Sequence, residues 1–209
     1  MAGKTGSRSG SRPMPKRPKT SGRPAAPRMP MDLPARDRET GLVHAIVDTP
    51  KGSPVKFKYE PSKAGYTISH VLPAGAVFPF DFGSIPGTAA EDGDPMDVLI
   101  LVEWPTFAGC VVPVRLVGAI EAEQTQEGET VRNDRLIGVA ESSRTYADVA
   151  RLADLPGKLL AELEHFFVSY NEERGREFRV RARLAPDRSE RLVNEGEKRF
   201  REKGRGRKR

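Results

Sequence analysis

Residues 91–100, EDGDPMDVLI, place Glu91, Asp92, Asp94 and Asp97 within seven positions and then run into Val98, Leu99, Ile100, Leu101 and Val102. Four like charges this close repel one another unless a cation sits among them or water screens them. A solvated Asp/Gly/Pro turn is the plainest account of such a stretch. A calcium loop would put Asp92, Asp94 and Glu103 at its positions 1, 3 and 12, but Met96 then falls at position 5 and Asp97 where glycine is needed, which excludes it. What survives is a site for a hard cation such as Mg²⁺, which takes a few carboxylates, keeps several waters and is shared with substrate phosphates. In an extended DGD, Asp92 and Asp94 point to one side, and Pro95 bends the chain so that Asp97 converges with them. The spacing suits one ion pair, or two ions bridged by a carboxylate.

The elements around this cluster change character along the chain. LVHAIVD (42–48), VKFKYE (55–60) and YTISH (66–70) read as strands, the first two joined by a Pro/Gly turn. Residues 73–95 are dense in Pro and Gly and read as a long loop, the kind of segment that carries function. VLILVE (98–103), VVPVRLVGAIEAE (111–123) and RLIGVA (135–140) continue the strands. TYADVARL (145–152) suggests a short helix. Leu159, Leu160, Leu163, Phe166, Phe167 and Tyr170 then recur at helical spacing after Pro156, predicting a helix packed on the sheet. FRVRARL (178–184) is a last strand and 188–203 a polar helix. Strands followed by helices predict a small barrel or curled sheet with helices on its flank.

Composition sets the outer limits. The 209 residues suffice for one domain with tails. Hydrophobic content of 37% is low, and the deficit lies at the ends. Residues 1–30 hold eight Lys or Arg and no acid, and residues 191–209 hold nine bases against three acids. The overall +6 therefore leaves −8 for residues 31–190, so the folded part is acidic. The expected organisation is a disordered basic tail over 1–38, a barrel domain over 39–185 and a basic helix or tail over 186–209. Cys110 is the one cysteine, which excludes an internal disulfide and suits a reducing compartment. Without an apolar run long enough for a membrane span or a secretion signal, a cytoplasmic location and no membrane contact are expected. The proline-rich N-terminus also lacks the amphipathic helix of an organelle transit peptide. Tails this basic can hold nucleic acid or other polyanions through phosphate contacts. His44, His165 and Cys110 read as ordinary packing residues, and Trp104 as a cap on the core.

FPFDFGSIPGTAAEDGDPMDVLILVEWPTFAGC resembles the signature region of soluble family I inorganic pyrophosphatases: an aromatic-Pro-x-x-aromatic-Gly-x-Ile-Pro loop followed by Asp-x-Asp-Pro-x-Asp and a hydrophobic run. The similarity extends from about Leu42 to Tyr170. It implies a mainly β fold, a five-stranded OB-like barrel with flanking helices. It also implies a Mg²⁺-dependent hydrolase that splits pyrophosphate into two phosphates by attack of a metal-bound water, with an oligomer of identical chains expected. By motif, Asp92 and Asp97 match metal ligands, Asp97 bridging two ions, and Asp94 matches the carboxylate that orients the attacking water or takes its proton. Asp48, counted with the metal residues, falls where a glutamate is usual, Lys56 on a phosphate-binding lysine, Arg135 on a second such lysine, and Tyr170 on a phosphate-binding tyrosine.

Several positions depart from that pattern. Phe78 and Phe82 stand where tyrosines offer hydroxyls, and Phe keeps the packing but loses the donor. His70 stands near an arginine expected to bind substrate, Lys58 near a glutamate and Asn171 near a lysine. Asn133, or its neighbour Asp134, stands for a metal-binding aspartate, and Gln124 replaces another acid. Residues 123–132 read as an insertion. Two rival readings follow: a relative with weak or altered phosphoanhydride activity, and a noncatalytic, basic-tailed nucleic-acid binder. The acidic barrel argues against the second, which would leave the aspartate triad without purpose.

Overall fold

Strand-forming runs rich in β-branched and aromatic residues build most of the molecule, several of them buried on both faces. The computed structural model describes Met1 and residues 30–206; the disorder expected of the N-terminal tail falls largely on residues 2–29, outside the described residues. The described strands are β1 (Val43–Thr49), β2 (Val55–Glu60), β3 (Gly65–Val71), β4 (Asp81–Ile85), β5 (Met96–Leu101), β6 (Val111–Gln126), β7 (Glu129–Arg132), β8 (Arg135–Ala140) and β9 (Glu177–Leu184). Two long helices, α1 (Gly157–Glu172) and α2 (Pro186–Gly206), flank β9 in sequence.

β1, β4, β5, β8 and β6 pair in that order, and β6 returns to pair with β1, so five strands close the OB-like barrel expected from the sequence. Only β5 and β8 run parallel in this ring. The far half of the 16-residue β6 leaves the barrel to pair with β9 and β7, while β2 and β3 form a separate hairpin.

Alternation along β5 sorts its side chains between two cores. Leu99 and Leu101 join Ile137 and Val139 of β8 beneath Leu160, Leu163 and Phe167 of α1. Val98 and Ile100 join Leu136 and Ala140 of β8 beneath Leu192 and Val193 of α2. Because both faces are covered, residues 98–101 of β5 and 136–140 of β8 read as unbroken apolar runs. Burying each such side chain contributes about 1.5–3 kcal/mol, so α2 is part of the fold as much as α1 is. Its polar composition concealed this: two buried apolar side chains, Leu192 and Val193, anchor an otherwise polar helix.

The structure departs from expectation in four places. β4 lies inside the presumed loop 73–95. Its Gly83 permits a close approach to β1, since a Cβ there would stand 2.1 Å from the Ile46 carbonyl oxygen. β7 gives structure to the presumed insertion, as a short hairpin with the end of β6. TYADVARL is not a helix: Asp154 Oδ2 takes the Ala150 and Arg151 amides, each at 3.0 Å, and Arg115 donates to the Ala147 and Val149 carbonyl oxygens at 3.0 and 2.6 Å. Those contacts leave only a 3-10 turn, Leu152–Asp154. Trp104 does not cap the core but is 80% exposed.

Candidate active site

A bulge in β1 delivers the first acidic side chain. Val47 pairs with Gly83 and Thr49 with Phe82, so Asp48 is an extra residue in its strand, and the irregularity turns its carboxylate into a cleft of about 1010 Å³. Burial pushes the Asp48 carboxyl up to about 6, against the opposing charge of Lys56. Lys56, on β2, is lowered by the same burial, with Asp48 and Asp97 acting to raise it. Its ammonium stands 4.0 Å from the centroid of the Phe82 ring and 5.8 Å from that of Phe78. The two rings that lack hydroxyls therefore hold the lysine through their π faces.

The acidic loop before β5 is a built turn. Gly93 adopts φ +90°, Asp92 Oδ1 accepts the Asp94 amide at 3.0 Å, and the Ala90 amide donates to the Asp94 carbonyl at 2.8 Å. α2 clamps it from outside: the Ala89 amide donates to Gly196 O at 3.0 Å, and Arg199 Nε donates to Ala89 O at 2.8 Å. Asp92, Asp94 and Asp97 all reach the cleft.

Two cations of the chain already stand on that triad. Lys58 Nζ donates to Asp94 Oδ2 at 2.8 Å, and Arg135 donates to Asp97 Oδ2 at 2.5 Å. Arg135 is only 4% exposed, lies over the rings of Phe167 and Phe178, and also donates to Asn133 Oδ1. Its Nε is buried with no partner among the described residues. Asn133 Nδ2 donates to Gln124 Oε1 at 3.0 Å. Asn133 thus faces the cleft, while Asp134 accepts Arg132 Nε and the Ala122 amide and serves the sheet.

Tyr170, near the end of α1, stacks on Phe166 and accepts Arg174 at 2.9 Å; burial raises its hydroxyl, with Arg174 opposing. Asn171 lines the cleft but donates to the Phe167 carbonyl at 2.7 Å. Of the residues singled out from sequence for chemistry, Asp48, Lys56, Asp92, Asp94, Asp97, Asn133, Arg135 and Tyr170 share this one cleft. His70 does not line it. It sits opposite Lys56 in the β2–β3 register, its ring edge-on to Tyr170 at 6.2 Å. Arg174 and Arg176, which do line it, escaped the sequence reading. The signal was RGR in the turn after α1, where the chain must reverse beside Tyr170.

Among the described residues no three carboxylates converge closely enough to hold a metal ion between them, so a hard cation here would rest on one or two carboxylates and keep most of its waters. Asp92 makes no ion pair among the described residues, and its pKa is raised first by burial and then by Asp94 and Asp97, repulsion that a divalent ion would relieve. Asn133 suits a metal less well than the resemblance implies, because its oxygen already accepts Arg135.

An acidic triad at the mouth of a closed OB-like barrel, faced by lysine, arginine and tyrosine, defines a phosphate-handling hydrolase. A family model described as inorganic pyrophosphatase matches residues 45–201, and the chain belongs to that family. It is 36% identical over 138 residues to an inorganic pyrophosphatase of Thermus thermophilus, covering 66% of this chain and 77% of that one. A Haloferax volcanii inorganic pyrophosphatase is also 36% identical, over 147 residues, 68% of this chain and 81% of its own. A crystal structure of inorganic pyrophosphatase from Thermus thermophilus superposes with a TM-score of 0.75 at 29% identity, covering 83% of this chain and 99% of that one.

Proposed function

We propose that the protein hydrolyses inorganic pyrophosphate to two phosphates, with Mg²⁺ as cofactor. One observation carries this reading: Lys56, Arg135 and Tyr170 line the same cleft as Asp92, Asp94 and Asp97. Bound Mg²⁺ supplies a more acidic water and neutralises phosphate oxygens. Asp92 and Asp97 would hold the ion, with Asp48 in electrostatic reach of Asp97.

The remaining work falls to the chain. Lys56, Arg135 and Tyr170 bind the phosphoryl oxygens, Arg135 with the planar fork that suits phosphate. Asp94, oriented by Lys58, takes the proton as water oxygen bonds to phosphorus. The bridging oxygen then leaves with the second phosphate. Phe78 and Phe82 keep water from the Lys56 side. His70 stands behind Tyr170 and takes no direct part.

No helix among the described residues is long and apolar enough to cross a membrane. We place the protein in the cytoplasm and propose an oligomer of identical chains; the exposed Trp104, Phe107 and Val111 support the association. The basic tails are assigned to polyanion contact. The test is phosphate release by purified protein with and without Mg²⁺. Release that requires the ion is expected; folded protein that releases none in either condition overturns the reading.

A further inference from the structure

Lys58 is unusual among the cleft's cations. It is 59% exposed at its side chain, yet it is fixed on Asp94, and Asp92 and Asp97 also act on it. Arg135 does the same at Asp97 from a buried position and takes the Asn133 oxygen as well. Three carboxylates carry three negative charges, and two are offset before any ion arrives. One divalent ion can still settle on Asp92 and the remaining lone pairs of Asp97. A second would have to displace an ammonium from Asp94 or stand beside it, at a Coulomb cost that grows steeply at this range.

Resting on the reading of this cleft as a pyrophosphate site, we propose that Lys58 replaces a divalent cation, so that the cleft takes a single metal ion together with its substrate. The lysine supplies fixed positive charge to the phosphoryl group that the missing ion would otherwise face. Activity should then saturate with one metal-binding event.

Mn²⁺ bound per chain, counted by electron paramagnetic resonance and calorimetry with imidodiphosphate as a non-hydrolysable pyrophosphate analogue, tests this without turnover. Wild type should bind one Mn²⁺. Lys58→Glu, at an exposed position and checked for an unchanged fold by circular dichroism, should bind a second at least about tenfold more tightly than wild type. Two tight ions in wild type, none at all, or no gain in Lys58→Glu each overturn the proposal. A protein that counts one ion but never cleaves pyrophosphate would refute the assigned reaction and leave the role of Lys58 standing.

Discussion

Phe78 and Phe82 hold Lys56 by their ring faces, whereas a tyrosine at either position would add a hydroxyl donor at the ring edge. A missing donor at developing negative charge typically costs about 10²–10³ in rate. The combined variant Phe78→Tyr, Phe82→Tyr, Asn133→Asp should therefore raise pyrophosphate turnover, by up to about 10²-fold. The new aspartate keeps the bond from Arg135, and Gln124 can rotate its amide to donate where it now accepts. Steady-state phosphate release checks this; a folded variant no faster than wild type would mean that the cleft serves another phosphoanhydride. At this scale the sequence was informative where a motif was dense, as at Asp92, Asp94 and Asp97. It was silent on partners. That Lys58 sits on Asp94, 36 positions away, depends on how the β2–β3 hairpin meets the barrel.

Glu103 shows how one carboxylate can decide the form of a distant segment. Amide hydrogen bonds, from Thr145 first, with its own amide and that of Arg144 adding to it, hold this carboxyl down to about 2 from an ordinary 4.5. A lowered pKa favours the folded state above the unfolded value, and that contribution disappears as pH falls from about 4.5 towards 2. Glu103→Gln should melt at a lower temperature than wild type at pH 7. The gap should narrow steadily below pH 4.5, as read from thermal melts across pH; a gap that stays constant would deny the carboxylate this role. Other contacts explain the helix wrongly expected at 145–152. Local pattern favoured a helix there, but Asp154 takes the Ala150 and Arg151 amides, and Arg115, more than 30 positions earlier, donates to the Ala147 and Val149 carbonyls that a helix would have paired. β4 was hidden differently: five residues bracketed by Pro and Gly carry too little pattern to be seen until their neighbours β1 and β5 are in place. β1, β2 and β8 were legible as runs of β-branched, aromatic and aliphatic residues bounded by turns, and α1 as apolar residues at helical spacing.

Over the whole molecule, the two basic ends are unequal. Residues 2–29 carry eight Lys or Arg, no acid and few large apolar side chains, so their deletion should leave pyrophosphate turnover and melting temperature unchanged while any retention on nucleic acid falls. Removing residues 191–209 takes away Leu192 and Val193 from the core and Arg199 from the back of the acidic loop. That truncation should lower stability by about 3–6 kcal/mol on side-chain burial alone and expose residues 88–96 to proteolysis. Limited proteolysis and melting of both truncations would distinguish them; a stable, active chain ending at 190 would deny α2 its place in the fold. Charge alone had grouped these two segments together. Two apolar positions in the polar helix, easily lost among its charges, set them apart.

The extra residue in β1 also makes the site unusually easy to lose by a small genetic change. Deleting the single codon for Asp48 would remove the bulge and let Val47 and Thr49 continue opposite Gly83 and Phe82 with regular spacing. The barrel would keep its pairing and lose a cleft carboxylate in one step. A one-codon deletion within β5 would instead exchange its two faces and disrupt both cores, since Leu99 and Val98 belong to different ones. Expressed side by side, the Asp48 deletion should yield soluble protein with a single cooperative melt and impaired turnover, and a Leu99 deletion should yield none. The barrel can thus shed its chemistry by in-frame deletion while its architecture persists, a short path by which one lineage could come to hold both working and silent copies.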